Sequence, residues 1–486
     1  MILNESVMKT VTKEQVIIRL KRENPWWEEP HEMPRVFKKL TPRPYLDLFY
    51  PLAKSRKVRR AVVLMGPRRV GKTVMIHHTI EKLLRDGIKP ERICYVSVDH
   101  PIYNGLELES ILDFYSETCG VDCREDECYV FFDEIQYLRN WEIYLKIVVD
   151  NYDRVKCVAS GSAAAALKLK SNESGAGRFT DFLLPPLTFY EYLVLSGETK
   201  LAHTVAMDEI DTLNSHFLDY LNYGGYPEIV FSDEIKFDAG RYIRNDIIDK
   251  VLLRDLPSLY GIQDVQELNS LFTTLAYNSG HEVSLEALSQ NSGVAKNTIK
   301  RYIEYLESAF LIRIVHRVDR DARRFKRASF FKVYLTNPSI RSALFSPITS
   351  DDEFMGALVE TGVYAQLFHA EAPNNFYYAR WKNGEVDLVE LDYSGNIEKV
   401  VEIKWTDRYV KKTEGLKSLI DFCHARNQNT ALVTTLREFE MKTYQNITLE
   451  FMPTSLYALM LGRNIIEKRR ESVQTLREMQ KAYISK

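Results

Sequence analysis

Apolar and polar positions along this chain fall into two patterns: short apolar runs, and longer stretches with one apolar face. The run Ala61–Met65 leads into Gly66-Pro-Arg-Arg-Val-Gly71-Lys72-Thr73, and the helical pattern VMIHHTIEKLLRD follows. ICYVSVDH, Ile93–His100, predicts a second strand. CYVFF, closing on Asp133-Glu134, predicts a third, and Val155–Ala159, closing on Ser160-Gly161-Ser162, a fourth. Strands alternating with helical patterns predict an α/β fold with a parallel sheet. Further on the pattern changes. LNYGGYPEIVF, Leu221–Phe231, reads as a turn-rich boundary, and RYIRNDIIDKVLLRDLP as helix ending before Pro257. Ser284 caps LEALSQ, Gly293 sits in a turn, and Ile299, Ile303 and Leu306 share one face of a helix over 295–306. That spacing predicts a helix-turn-helix followed by strands. Near the end, DEFMGALVETGVYAQLFHA predicts a core helix. NNFYYARWKNGEVDLVELDYSGNIEKVVEIKW then predicts three strands turning at Asn383-Gly384 and Ser394-Gly395.

Length divides this pattern into several domains, because 486 residues exceed what one core holds. Sixty-five Lys and Arg against 67 Asp and Glu give a net charge of −2, so any nucleic-acid surface is a local patch rather than the whole chain. Six scattered cysteines fit reduced thiols, and Cys119, Cys123 and Cys128 lack a nearby histidine that would suggest a metal site. No leader layout and no long apolar run is visible, so the expectation is a soluble cytoplasmic protein with no membrane partner.

The stretch from Gly66 to Thr73 carries chemistry. G-x-x-x-x-G-K-T between a strand and a helix is a phosphate-binding loop. Gly66 and Gly71 let the backbone turn its N–H groups inward around Pro67, Arg68, Arg69 and Val70, and the helix opening at Thr73 and Val74 adds its positive end. Lys72 reaches the outer phosphates of ATP, and the Thr73 hydroxyl takes Mg²⁺. Asp133, at the tip of a buried strand, completes the metal shell, and Glu134 orients the attacking water. Ser160 is placed to sense the outermost phosphate. Arg178, after a Gly-rich stretch, would steady charge on the transferring phosphoryl group in cis or from a neighbouring subunit; a surface arginine is the plain alternative.

The order GPRRVGKT, VSVDH, FFDEIQYL, Trp141, ASGS, Gly177-Arg178 and LPPLTFYEYL resembles the prokaryotic AAA-type, STAND-related P-loop ATPases. RENPWWEEP, Arg22–Pro30, resembles the lead-in of one subgroup. The resemblance spans roughly residues 20–200 and implies the same roles for Lys72, Thr73, Asp133 and Glu134.

In the middle block, Lys296, Asn297, Lys300 and Arg301 lie on the exposed, N-terminal half of the second helix, where a groove and its phosphates would meet them. Between Arg313 and Arg327, fifteen residues hold seven basic ones, among them Arg320, Arg323, Arg324, Lys326 and Arg327. This reads as a basic wing contacting nucleic acid, with DNA the first expectation. A solvated loop on a winged helix used for packing is the alternative.

The last block places Asp387 and Glu402 in adjacent strands, with Lys404 two residues after Glu402 on the same face. Two acids and a lysine can hold Mg²⁺ and a water against a phosphodiester, and Glu360 can join from the preceding helix. This order resembles the PD-(D/E)XK nuclease core, and the domain type that commonly follows this ATPase. Its residues here are Gly356–Glu360, Glu385–Asp387 and Glu402–Lys404. Val386 replaces the usual Pro, and an Asp common in relatives is absent from YLTNPSI.

The expected architecture is α/β throughout. It comprises a lead-in (1–44), a P-loop NTPase domain (45–200), a helical linker (201–265), a winged helix of α+β type (266–340), a restriction-endonuclease-like domain (341–462) and a basic helix (463–486). The expected function is an ATPase whose nucleotide state controls a Mg²⁺-dependent nuclease-like domain, by resemblance in prokaryotic defence or genome maintenance. A non-cleaving ATP-dependent switch and a DNA-binding regulator are the rivals. A homo-oligomer is left open.

Overall fold

The computed structural model describes residues 11–162, 177–319, 330–370 and 375–484, the last fourteen of these as backbone only. By contacts the chain divides into two compact units: residues 1–66 with 71–184, and residues 67–70 with 185–486.

The first unit is built on five parallel strands in the order β2-β3-β4-β1-β5. They are β1 (Ala61–Gly66), β2 (Ile93–Ser97), β3 (Cys128–Asp133), β4 (Val155–Ser162) and β5 (Phe179–Leu183). β1 and β3 are buried at every position, as expected of parallel strands covered by helices on both faces. The helices Lys72–Arg85, Leu108–Cys119 and Trp141–Asn151 supply that cover.

The lead-in is part of this unit rather than a separate segment. Val16 and Leu20 of the helix Lys13–Glu23 enter the core. β2 is an edge strand, and an open edge leaves backbone groups unpaired. Asn24 closes it: its Nδ2 donates to Tyr95 O at 2.8 Å, and its Oδ1 accepts from Tyr95 N at 2.6 Å. The indole N–H groups of Trp26 and Trp27 both donate to Ile93 O, at 3.0 and 2.8 Å. RENPWWEEP therefore works as an edge cover for the five-stranded sheet.

The second unit holds nine strands in the order β13-β14-β12-β11-β10-β9-β7-β8-β6. The first three in sequence are β6 (Glu282–Ser284), β7 (Ile312–Val318) and β8 (Phe330–Leu335). They pair antiparallel beside the helices Leu285–Ser292 and Lys296–Ser308. The rest are β9 (Phe376–Trp381), β10 (Gly384–Leu391), β11 (Ile397–Glu402), β12 (Thr430–Thr435), β13 (Glu440–Tyr444) and β14 (Ile447–Pro453). β7 runs parallel to β9, His316 beside Tyr377 and Val318 beside Ala379. The segments expected as separate domains over 266–340 and 341–462 thus share one sheet.

Three local expectations differ from the structure. Leu221 to Tyr223 finish the helix Ile210–Tyr223, so the boundary narrows to Gly224-Gly225. The helical run does not stop before Pro257, which sits in the first turn of Leu256–Tyr260 after π-helical stretches Ile243–Asp249 and Val251–Asp255. Proline has no N–H to donate, and it stands where the π-helical stretch passes into the α-helix. The final basic helix is the continuation of one 31-residue helix, Thr454–Ile484.

Candidate functional site

At the C-terminal edge of the first sheet, β1 delivers Gly66 and the helix Lys72–Arg85 starts directly after Gly71. Gly71 has φ +92°, a left-handed conformation that a side chain would strain. Lys72 is buried, its Nζ 3.2 Å from Gly66 O. The Thr73 hydroxyl donates to Asp133 Oδ2 at 2.7 Å. Tyr95 on β2 donates to the same oxygen at 2.9 Å, and Ser160 on β4 donates to the other one. Glu134 follows with φ +55°, a backbone setting sparsely populated outside functional or strained sites. Its N–H donates to Ser160 Oγ at 3.2 Å, and its carboxylate accepts from the Gln136 side chain. Beneath the loop His77 is buried. Its Nδ1 contacts Thr73 O at 2.8 Å, and burial pushes its pKa down to about 4.

The proposed phosphate-loop residues divide in their placement. Gly66, Gly71, Lys72, Thr73, Val74, Asp133 and Glu134 gather at this edge. Pro67, Arg68, Arg69 and Val70 group with the second unit. There Arg68 forks onto Asp255 at 2.5 and 2.7 Å, and Arg69 meets Glu228 at 3.2 Å. Ser160 is fully buried and gives its hydroxyl to Asp133, so in this structure it supports the acid. Arg178 is corrected. It precedes β5 at the level of Arg60, and its carbonyl accepts from Ala61 N at 2.9 Å. That is the opposite end of β1 from the loop, about 20 Å away at ~3.3 Å per residue. The side chain pairs with Asp150 at 3.1 Å and does not reach a nucleotide on its own chain.

In the second unit, β10 carries an irregularity. Its pairing with β9 slips by one residue between Val386 and Val389, and Asp387 lies in the slip. Such bulges re-aim a side chain. Against β11 the register is unbroken from Leu388 to Glu390, Leu388 opposite Val401, which sets Asp387 facing Glu402. Lys404 bridges the two acids, 3.0 Å from Asp387 Oδ2 and 2.9 Å from Glu402 Oε1. The backbone N–H of Ile403 also donates to Asp387 Oδ2 at 2.8 Å. Thr434 on β12 holds the Lys404 backbone through its N–H and its carbonyl, at 2.7 and 2.9 Å. Glu402 Oε2 is enclosed and makes no close hydrogen bond, with the Asp387 backbone N–H acting on the carboxylate from farther off. Burial, and then Asp387, push the Glu402 carboxyl up to about 7. Burial alone would lower the Lys404 pKa, but Glu402 and Asp387 raise it above the ordinary lysine value.

Glu360 does not complete this cluster. Its Oε1 takes the Tyr334 hydroxyl at 2.5 Å and Lys332 Nζ at 2.9 Å. Among the described residues no group of three or more His, Cys, Asp or Glu side chains is arranged to hold a metal ion. Asp387 and Glu402 are two carboxylates, and Mg²⁺ is commonly held by one or two with waters and phosphate oxygens filling the rest. An enclosed carboxylate oxygen without a close donor fits a cation there.

Of the proposed nucleic-acid contacts, Lys296, Asn297, Lys300 and Arg301 are exposed on the helix Lys296–Ser308, opposite buried Ile299, Tyr302, Ile303 and Leu306. Lys296 pairs with Glu286 at 2.5 Å. Arg320, Arg323, Arg324, Lys326 and Arg327 lie outside the described residues.

A family profile described as an AAA domain matches residues 58–193. These residues form an AAA-type P-loop ATPase domain. A second profile, a domain of unknown function (DUF8612), matches residues 214–352 of this ATPase-bearing chain. An uncharacterized protein of Methanocaldococcus jannaschii is 26% identical over 389 residues, 74% of this chain and 79% of its own. One from Haemophilus influenzae is 27% identical over 51% of this chain and 60% of its own. Among solved structures, C. elegans PCH-2 is 14% identical at TM-score 0.28, over 38% of this chain and 58% of its own. AMPPCP-bound DnaA from Aquifex aeolicus is 14% identical at TM-score 0.28, over 58% of this chain and 92% of its own. Scores that low carry no argument about fold. Among the described residues no helix is long and apolar enough to cross a membrane.

The structure adds residues that the sequence patterns left unassigned. Tyr95 and Gln136 brace Asp133 and Glu134 of the ATPase domain. Gln136 had a signal in its place two residues after the acid; Tyr95 looked like any core aromatic. Lys332 pairs Glu360 and Glu385 beside the second site, and a lone lysine inside the apolar run FFKVYL was the available signal.

Proposed function

We propose that this protein binds and hydrolyses ATP with Mg²⁺, and that nucleotide state controls a Mg²⁺-dependent nuclease-like centre at Asp387, Glu402 and Lys404. For the ATPase, Thr73 and Asp133 would hold the metal, Lys72 the outer phosphates, and Glu134 the attacking water. The metal supplies charge neutralisation; the chain supplies the oriented acid and the ammonium. For the second centre, the observation that carries the reading is the enclosed Glu402 oxygen facing Asp387 without a close donor, with one lysine between the two acids. Asp387 and Glu402 would hold a divalent cation that lowers the pKa of a bound water. Lys404 would then leave its bridge and steady charge on a phosphodiester. Exposed Lys296, Asn297, Lys300 and Arg301 would position the nucleic acid, DNA first.

A non-cleaving scaffold is the second reading, favoured by the diversion of Glu360 to Lys332. Incubation of the protein with plasmid or RNA, Mg²⁺ or Mn²⁺ and ATP separates the two. Cleavage lost in Lys404→Ala and made ATP-independent or abolished in Lys72→Ala supports the nuclease. Cleavage that persists in Lys404→Ala refutes that centre, and no cleavage by any form favours the scaffold.

A further inference from the structure

The acidic face of the second unit has two halves, and only one has room for an added cation. Lys332 stands on β8 and is 3% exposed. Its Nζ lies 2.9 Å from Glu360 Oε1 and 2.7 Å from Glu385 Oε1. Glu385 also meets Arg380 at 3.2 Å through its other oxygen. Glu360 and Glu385 therefore each have a cation already. Asp387 and Glu402 share Lys404 alone, two carboxylates against one ammonium. The halves adjoin along β10, where Glu385, 2.7 Å from Lys332, stands two residues before Asp387. Burying an ammonium this deeply is costly unless carboxylates compensate it. Here burial would lower its pKa, but Glu360, Asp387 and Glu385 together raise it. Two carboxylate oxygens within 3 Å hold it as an ammonium.

We propose that Lys332 is a built-in cation occupying the second cation position of this cluster, so that the site takes one divalent ion, on Asp387 and Glu402, and Glu360 is closed to another. Lys332 is a positioning residue in this account: it fixes Glu360 and Glu385 and sets how many metal ions the face accepts. Its strand lies beside the helices Leu285–Ser292 and Lys296–Ser308, so that block contributes a charge to the acid centre through the shared sheet. The inference rests on the reading of Asp387 and Glu402 as cation ligands.

Calorimetric titration of the full chain with Mn²⁺, in nucleotide-free buffer, reads ion number directly. Glu402→Gln serves as the blank for every other binding event. The wild type is expected to bind one Glu402-dependent Mn²⁺. Lys332→Met is expected to gain a second ion, which Glu360→Gln in the same chain removes. Lys332→Arg keeps a cation and is expected to keep a single ion. A Lys332→Met chain that binds one ion with affinity within about twofold of wild type overturns the inference while leaving the cation site standing. A wild type that binds a second ion lost in Glu360→Gln also overturns it, and needs no Lys332 variant to fold. A wild type with no Glu402-dependent Mn²⁺ refutes the cation site itself.

Discussion

Lys404→Met asks whether one ammonium holds two facing carboxylates together. The Nζ lies 3.0 Å from Asp387 and 2.9 Å from Glu402. Unit charges about 3 Å apart attract by roughly 5 kcal/mol at an effective dielectric of ~20, but desolvating the ammonium cancels much of that. Removing one partner of a buried pair typically costs about 3–5 kcal/mol. The Lys404 side chain is 27% exposed, so solvent reaches it. Screening brings the expectation to about 2–3 kcal/mol. Methionine keeps the length of the stem, so the loss reports charge more than packing. The assay is urea denaturation in EDTA at pH 8, where Glu402 of the wild type, pushed up to about 7 with Lys404 beside it, is mostly ionised; without Lys404 it is pushed higher, and the proton it takes up limits the loss. A divalent cation then offers the missing charge. Mn²⁺ at a hundred times its Kd stabilises the native state by about 2.7 kcal/mol and is expected to recover most of the loss. A metal-free loss below about 0.5 kcal/mol refutes the claim that Lys404 holds the acids in place. Recovery of nothing by Mn²⁺ removes Asp387 and Glu402 as a cation site.

Three further outcomes follow from other parts of the chain. Glu134→Gln is expected to slow ATP turnover by about 10²–10⁴-fold with ATP affinity changed less than about threefold; turnover at full rate in a steady-state phosphate-release assay rejects Glu134 as the acid that orients water. Asn24→Ala leaves the backbone N–H and C=O of Tyr95 without partners in a fully buried place, and is expected to cost about 2–4 kcal/mol in chemical denaturation; an unchanged midpoint would show that the lead-in does not close the sheet edge. Burial pushes Lys156 down to about 8 from 10.5, with Cys157 opposing and Arg56 adding repulsion. Between those values the unfolded chain holds a proton that the folded chain has released, so stability rises with pH through that window. Lys156→Met is expected to stabilise the protein at pH 7 by about 1–3 kcal/mol and to gain nothing above pH 10.5, and a gain independent of pH contradicts the assignment.

Reading the chain by its local patterns worked best where the chemistry is local. A phosphate loop is a contiguous motif between one strand and one helix, and the acids at the tip of β3 stand at a place that parallel sheets reserve for ligands. The Asp387–Glu402–Lys404 face was equally local: one hairpin, with side-chain alternation placing the three groups together. A role for Arg178 toward the loop of its own chain failed on a different ground, and a role from a neighbouring subunit stays a proposal. The neighbours of Arg178 in sequence said nothing about which end of β1 it would stand beside, and the parallel register of β5 against β1 places it at the end away from the phosphates.

Glu360 shows the same limit more sharply. Helix position brought it near the acids, as the pattern implied, yet its partner is decided by β8, which precedes it by some 25 residues and arrives through the nine-stranded sheet. Lys332 lies in an apolar run, where a charge is costly unless something answers it. The cost of burying that ammonium is itself the information. A lone lysine within FFKVYL requires carboxylates across the sheet, and Glu360 and Glu385 are the two that meet it. The acid cluster near β10 and the isolated base on β8 are therefore one electrostatic problem, and a boundary drawn between the two blocks separates the charges that solve it.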